Sequence, residues 1–139
     1  MDDPFDLERF VRAQAPVFET VTAELRAGAK RSHWMWFVFP QHRALGRSAT
    51  ALRYGLRGRD EAAAYWGHPV LGPRLRQCCE LLLAVPDRSA HEILGSPDDL
   101  KLRSSMTLFD LALPGEPVFR QVLRRFYGGE PDAHTVSLT

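Results

Sequence analysis

Apolar residues recur at every third or fourth position along most of this chain, and the stretches end at glycine or proline. Apolar residues at that spacing lie on one face of an α-helix, whereas the two-residue alternation of a half-buried strand never persists here. The pattern predicts an all-α protein, a single compact multihelical domain over residues 1–139. The spacing is clearest at Val17, Val21 and Leu25 and at Leu71, Leu75, Cys78, Leu82 and Val85.

Start signals divide the second half of the chain into separate helices. Ser89 and Glu92 have the spacing of a capping box, in which each side chain accepts the backbone N–H of the other residue. Ser96, Pro97 and Asp99 repeat the arrangement, with serine as the cap, proline at the first helical position and an acid at the third. We therefore predict a brief helix after Ser89 and a longer one after Ser96.

The segment RSHWMWFVFPQ, residues Arg31–Gln41, holds two of the three tryptophans and two of the eight phenylalanines. Ser32 is placed to cap a short buried helix from His33 to Phe39, although so continuous an apolar run is also compatible with a strand. On a helix Trp34 and Trp36 point about 200° apart, so at least one of them packs in the core.

The same segment is the first candidate binding site. Indole rings offer area for stacking on a flat ligand such as a nucleobase, and a histidine or glutamine supplies a polar contact. The alternative is that the tryptophans only fill the core, with their indole N–H groups bonded to the backbone. The predicted ligand-binding residues here are Arg31, His33, Trp34, Trp36 and Gln41.

The segment Asp98–Thr107 is the second candidate site. A lysine beside two hydroxyls on one face, near a helix N-terminus, suits a bound anion or phosphate, or a Ser–Lys nucleophile pair. The alternative is a capped helix with a surface ion pair, whose hydroxyls bond to the preceding turn. The predicted ligand-binding residues are Lys101, Ser104 and Ser105, and the candidate catalytic residues are Asp98, Asp99 and Lys101.

Two pairs of closely spaced arginines concentrate positive charge in the sequence. Arg74 and Arg76 fall near the start of a predicted helix, where the helix dipole disfavours cations and an anionic partner is expected. A surface salt bridge is the alternative. Arg57 and Arg59 flank Gly58 and are typical of a solvated loop.

Composition and charge exclude several classes of protein. The chain has 139 residues, enough for one core, and its net charge of +1 is not that of a strongly basic nucleic-acid binder. No apolar run is long enough to span a bilayer, and the N-terminus MDDPFDLERF is acidic rather than typical of a signal peptide. We expect a cytoplasmic monomer or small homo-oligomer with no nucleic-acid or membrane partner.

No motif calls for a metal or a cofactor. The five histidines lack metal-ligand spacings, and the adjacent Cys78 and Cys79 suit neither a disulfide with each other nor a zinc site. We expect both cysteines to be small apolar core residues. The glycine-rich nucleotide-binding loops and the hydrolase nucleophile elbow are absent from the sequence.

Several stretches of the sequence carry a resemblance to a known family. DPFDLERFVRAQAPVFETVTAELRAGAKRSHWMWFVFPQ, HPVLGPRL and SPDDLKLRSSMTLF, followed by YGG and HTVSLT, resemble the bacterial domain of unknown function numbered eighteen-ten, whose members are sometimes mislabelled calpastatin. The resemblance covers nearly the whole chain. It implies a single multihelical domain and supplies no catalytic residues to carry over.

A lysine before a small polar run and methionine, with a late aromatic–glycine turn, is also similar to the NADAR family of N-glycosidic-bond-cleaving enzymes. The glutamate–histidine–alanine motif of that family has no counterpart here. This similarity implies an N-glycoside hydrolase, in which Asp98 or Asp99 would stabilise the oxocarbenium charge or activate water. Lys101 and Arg31 would hold phosphates, and one tryptophan would stack on the base.

The residues therefore predict a pocket where Arg31–Gln41 meets Asp98–Thr107, which binds a small nucleotide-like or phosphorylated ligand. The alternative is a non-enzymatic interaction module that presents an apolar helical face to a partner. Convergent polar groups in a pocket would favour the first hypothesis, and an exposed flat apolar patch would favour the second.

Overall fold

Ten α-helices and a short 3-10 turn at Arg43–Leu45 form the structure, a computed structural model that describes residues 2–139. No strand occurs within residues 2–139, where an isolated parallel bridge joins His42 and Leu56. The all-α prediction is confirmed. None of the helices in this range combines the length and the apolar character needed to cross a bilayer. The helices are α1 Glu8–Gln14, α2 Phe18–Ala27, α3 Met35–Val38, α4 Ala49–Arg53, α5 Arg59–Gly67, α6 Leu71–Ala84, α7 Ala90–Leu94, α8 Asp98–Ala112, α9 Val118–Tyr127 and α10 Ala133–Leu138.

Helix α8 lies at the centre of the fold, because α5, α7, α9 and α10 all pack against it. Its Phe109 lies between Tyr65 of α5 and Phe119 of α9, at ring-centroid distances of 5.5 and 5.2 Å. All three rings are fully buried, and aromatic pairs at these distances add to the stabilisation that burial provides. Beyond its first turn α8 is therefore almost entirely enclosed.

A buried polar contact fixes α3 to the core. Gln14 Nε2 donates to the carbonyl oxygen of Phe37 at 2.6 Å and to the Tyr65 hydroxyl at 2.8 Å. Burial raises the pKa of Tyr65 far above its usual range, so its hydroxyl stays neutral and can donate in turn to the same carbonyl. The contact holds the short α3 helix against α1 and α5.

The apolar segment around α3 forms one helical turn, Met35–Val38, so the helix interpretation is confirmed over fewer residues and the strand alternative is wrong. Trp34 precedes the turn and is buried, with 1% of its surface exposed, whereas Trp36 is partly exposed. The expectation that at least one tryptophan packs is confirmed. Their burial distinguishes a core indole, Trp34, from a partly exposed one, Trp36.

The capping box at the start of α7 is confirmed. Glu92 N–H donates to Ser89 Oγ at 3.0 Å, and Ser89 N–H donates to a Glu92 carboxylate oxygen at 2.8 Å. The short C-terminal helix α10 was not predicted from its pattern. Asp132 caps it by accepting the N–H of Thr135 at 2.9 Å.

The start of α8 differs from the prediction, because no side chain caps it and the proposed box at Ser96 does not form. Asp99 N–H donates to the carbonyl of Gly95 at 2.9 Å, and Lys101 N–H donates to the carbonyl of Pro97 at 3.1 Å. Backbone carbonyls thus satisfy the first-turn N–H groups that a serine cap would otherwise accept.

Cys78 and Cys79 are both buried thiols on α6, as expected for small apolar core residues. Burial raises the pKa of Cys78 to about 12, which keeps its thiol protonated and unreactive at neutral pH. No group of three or more His, Cys, Asp and Glu side chains within residues 2–139 is arranged to hold a metal ion.

The surface salt bridge expected as an alternative at the start of α6 is present. The Arg76 guanidinium pairs with Glu116 and lies 4.9 Å from the ring centroid of Trp66. The cation at this helix end therefore has an anionic partner within the fold.

A substitution at Gly72, near the start of α6, tests how closely α5 and α6 approach each other. A Cβ there would lie 2.0 Å from the carbonyl oxygen of Trp66, a backbone atom that cannot move aside independently. We expect Gly72→Ala to lower the free energy of unfolding by about 3 kcal/mol in urea titrations, through overpacking. Gly67→Ala is the matched control, because a Cβ at Gly67 meets nothing within 4 Å. Equal stability of the two variants would contradict the close approach.

Candidate functional site

A cleft of about 380 Å³ lies where the loop before α3 meets the start of α8. Its volume falls in the range of small-molecule sites, about 300–1,000 Å³. Two segments distant in sequence line it, residues 30–36 and 94–101. The lining residues are Lys30, Arg31, Ser32, His33, Met35, Trp36, Leu94, Ser96, Pro97, Asp98 and Lys101.

A pair of lysines flanks Asp98 at the base of the cleft. Lys30 Nζ lies 2.8 Å from one carboxylate oxygen, and Lys101 Nζ lies 4.0 Å from the other. The Lys30 side chain is only 6% exposed, and its ammonium group also donates to the carbonyl of Ser32 at 2.6 Å. These contacts fix Lys30, whereas the more exposed Lys101 keeps donors free toward the cleft.

Trp36 forms the aromatic wall of the cleft. Lys101 Nζ lies 5.4 Å from its ring centroid, within the range of a cation–π contact. Trp36 also lines a much smaller hollow, together with Gln41 and Tyr54. One partly exposed indole and one ammonium group are therefore held side by side, each with a surface open to a ligand.

Glu24 of α2 holds the loop that carries the basic side of the cleft. Its carboxylate accepts the N–H of Arg31 at 2.9 Å, the hydroxyl of Ser32 at 2.5 Å and the indole N–H of Trp34 at 2.9 Å. A second N–H, that of Ser32, reaches the same carboxylate at 3.1 Å. Burial raises the pKa of Glu24, but these hydrogen bonds outweigh it and lower the pKa to about 2.

The structure brings together five of the predicted site residues and separates the others. Arg31, His33, Trp36, Asp98 and Lys101 line the cleft. Those outside it are Trp34, which packs behind the loop; Gln41, in the adjoining hollow; Asp99, which faces His91; and Ser104 and Ser105, which are buried within α8.

The two serines are enclosed because α8 is surrounded beyond its first turn. Ser104 Oγ donates to the carbonyl of Leu100 at 3.2 Å, the back-bonding that was the structural alternative for this segment. Ser105 Oγ has no hydrogen-bond partner within residues 2–139. Of the three residues predicted to share a helical face in the site, only Lys101 therefore lines the cleft.

Sequence reasoning missed the two residues that organise the cleft, Glu24 and Lys30. Lys30 belongs to the basic stretch before the aromatic segment, and its neighbouring Arg31 was the residue selected. No sequence pattern distinguishes Glu24 as a site residue, because a single glutamate on an amphipathic helix is ordinarily a solvated side chain.

The family of this chain follows from comparison with known proteins. Residues 4–139 match the family described as protein of unknown function, DUF1810. The chain belongs to this family. A similar solved structure, 57% identical in sequence, is the crystal structure at 1.38 Å of the conserved hypothetical protein Rv1873 from Mycobacterium tuberculosis. The match covers 98% of this chain and 97% of that one, with a TM-score of 0.96. No curated protein matches the chain.

The low pKa of Glu24 predicts how stability depends on pH. Because this pKa falls from 4.5 to about 2 on folding, the ionised carboxylate stabilises the fold above pH 4.5, and this stabilisation is lost as the pH falls toward 2. Because the carboxylate is only partly buried and solvent screens its interactions, we expect the loss to be about 1–2 kcal/mol. Urea unfolding from pH 6 to pH 2 should show a much shallower decline for Glu24→Gln, and identical slopes would contradict the assignment.

The two tryptophans should differ sharply in their contribution to stability. Trp34→Ala removes a buried indole and a hydrogen bond to Glu24, so we expect a loss of about 3–5 kcal/mol in the free energy of unfolding. Trp36→Ala removes a partly exposed ring and should cost about 1–2 kcal/mol. Chemical denaturation of both variants measures the difference, and an equal or larger loss at Trp36 would contradict its place in the cleft wall.

Proposed function

We propose that the cleft binds a small nucleotide-like ligand, with its flat ring on Trp36 and its phosphate groups near Lys101 and Arg31. The observation that supports this function best is the convergence of an aromatic wall and several cations from two distant chain segments on one cavity. Indoles provide stacking area, and ammonium and guanidinium groups provide charge-assisted hydrogen bonds to phosphate.

Charge within the cleft supports an anionic ligand. Lys30, Arg31 and Lys101 bring three positive charges, and among the residues that line the cleft only Asp98 is an acid. Lys30 Nζ lies 2.8 Å from the Asp98 carboxylate, so the positive charge of Lys30 is neutralised within the fold. Arg31 and Lys101 are therefore the cations that we expect to contact the ligand.

Hydrolysis of an N-glycosidic bond is the secondary proposal, with Asp98 as its carboxylate. Asp99 is turned toward His91 at 3.4 Å and does not line the cleft, which favours Asp98 of the two candidates. An oxocarbenium ion requires a carboxylate with free negative charge, however, and two lysines flank Asp98. The contacts thus favour binding over bond cleavage.

Little supports an interaction module that presents an apolar face. The large hydrophobic side chains exposed within residues 2–139 are Leu52, Leu100 and Val136, each on a different helix, so they do not form one apolar face.

We also propose that the protein is cytoplasmic. Its two buried free thiols fit the reducing interior of the cell.

Thermal-shift measurements with a panel of nucleotides, including ADP-ribose, test the proposal. We expect wild type to be stabilised by at least one nucleotide at millimolar concentration, because ligand binding to the native state raises the melting temperature. Lys101→Ala and Trp36→Ala should each strongly reduce the shift. Lys101→Ala should lower the free energy of unfolding of the free protein by no more than about 1 kcal/mol, since it removes a partly exposed ion pair.

Arg120→Ala is the matched control, because Arg120 forms an ion pair with Asp110 away from the cleft. It should keep the full ligand-induced shift. The absence of stabilisation by every nucleotide, or an equal loss of the shift in Arg120→Ala, would refute the binding proposal.

A further inference from the structure

The positive charges of this protein are strongly segregated along the chain. Residues 25–59 contain eight of the 18 Lys and Arg residues and none of the 17 Asp and Glu residues. The net charge of +1 conceals this separation. Within the described part of the chain, Lys30 is the one cation of this segment that forms an ion pair.

Three of these arginines line one concavity of about 270 Å³ on the surface formed by the loops around α4. They are Arg43, Arg53 and Arg57, and Arg9, Asp6, Leu52 and Gly55 complete the lining. The concavity and the cleft share no lining residue. It is therefore separate from the cleft, and the inference does not depend on the proposed function of the cleft.

A parallel bridge sets the arginines side by side. Arg43 N–H donates to the carbonyl of Leu56 at 2.7 Å, and Leu56 N–H donates to the carbonyl of Gln41 at 2.9 Å. The two strands of chain approach so closely that a Cβ at Gly55 would lie 2.5 Å from Arg43 Cα. The backbone thus fixes Arg43 next to the segment that carries Arg53 and Arg57.

Arg9 also lines the concavity and holds the loop that carries Arg53 and Arg57. Its guanidinium donates to the carbonyls of Arg53 at 2.8 Å and Gly55 at 3.2 Å and to the buried carboxylate of Glu61 at 2.8 Å. Glu61 also accepts the N–H of Arg57 at 2.9 Å. Arg9 is therefore fully engaged in holding the loop, and Glu61 offsets its charge.

The guanidinium groups of Arg43, Arg53 and Arg57 have no acidic partner within 4.0 Å in the described residues. Asp6 is the single acid that lines the concavity, so three cations face one anion. Like charges held together without counterions repel one another, and an anionic ligand relieves that repulsion.

We propose that this concavity binds the phosphate chain of a polyphosphorylated small molecule. Guanidinium groups match phosphate oxygens in bidentate geometry, and a surplus of positive charge suits a ligand that carries several negative charges. No aromatic side chain lines the concavity, so it recognises phosphate groups and not a base.

Isothermal titration with inorganic tripolyphosphate tests this site. The Lys101→Ala protein is used so that the cleft contributes little to binding. We expect the double variant Arg43→Gln and Arg57→Gln to raise Kd at least about tenfold, because each loses a charge-assisted contact. The control is Arg47→Gln, which removes an exposed arginine of the same acid-free segment that does not line the concavity. It should change Kd less than about twofold.

Circular dichroism of each variant verifies that it is folded. Absence of tripolyphosphate binding at millimolar concentration, or an equal loss of affinity in Arg47→Gln, would overturn the proposal.

A second titration uses a short single-stranded oligonucleotide in place of tripolyphosphate. If it binds more tightly than tripolyphosphate and loses affinity in the same double variant, nucleic acid is the source of the phosphates and the small-molecule assignment is wrong. Loss of nucleotide binding at the cleft alone leaves this result unchanged.

Discussion

The cleft depends on one carboxylate, that of Glu24, and on the four hydrogen bonds it accepts from residues 31–34. A loop between two helices carries backbone N–H groups that the helices cannot satisfy, and an ionised carboxylate accepts several of them at once. The indole N–H of Trp34 joins the same acceptor, which connects the loop to the core. Lys30 and Arg31 are therefore presented from a fixed backbone.

The second connection runs from this loop to α8. Lys30 is nearly buried and lies against Asp98, and its ammonium group is 4.9 Å from the ring centroid of Trp34. A nearly buried lysine is stable only when its charge is paired, so the ion pair constrains the distance between the loop and the helix. The width of the cleft is thereby set by the same contacts that stabilise the fold. A cleft held by such contacts is preorganised, so a ligand that entered it would require little rearrangement of the protein.

Periodicity predicted most of the fold, because the stripe on α6 and the capping box at Ser89 are local features that sequence spacing encodes directly. It predicted the site less well. Lys101 and Ser104 do lie on neighbouring positions of α8, yet only the first turn of that helix reaches the cleft, and Ser104 is buried. Which turns of a helix are covered depends on the packing of α5, α9 and α10, and spacing within one helix carries no information about that.

The positive charge of the cleft and of the concavity is local and does not show in the net charge of the chain. Net charge is a sum over the chain and governs solubility and long-range attraction, whereas a binding site responds to charges within a few ångströms. Here the parallel bridge at His42 and Leu56 gathers arginines that are 14 residues apart in sequence, Arg43 and Arg57, on one concavity. Elsewhere in the fold, arginines such as Arg76 and Arg103 have acidic partners. A fold that pairs cations in one region and gathers them unpaired in another concentrates its positive potential where an anion can reach it.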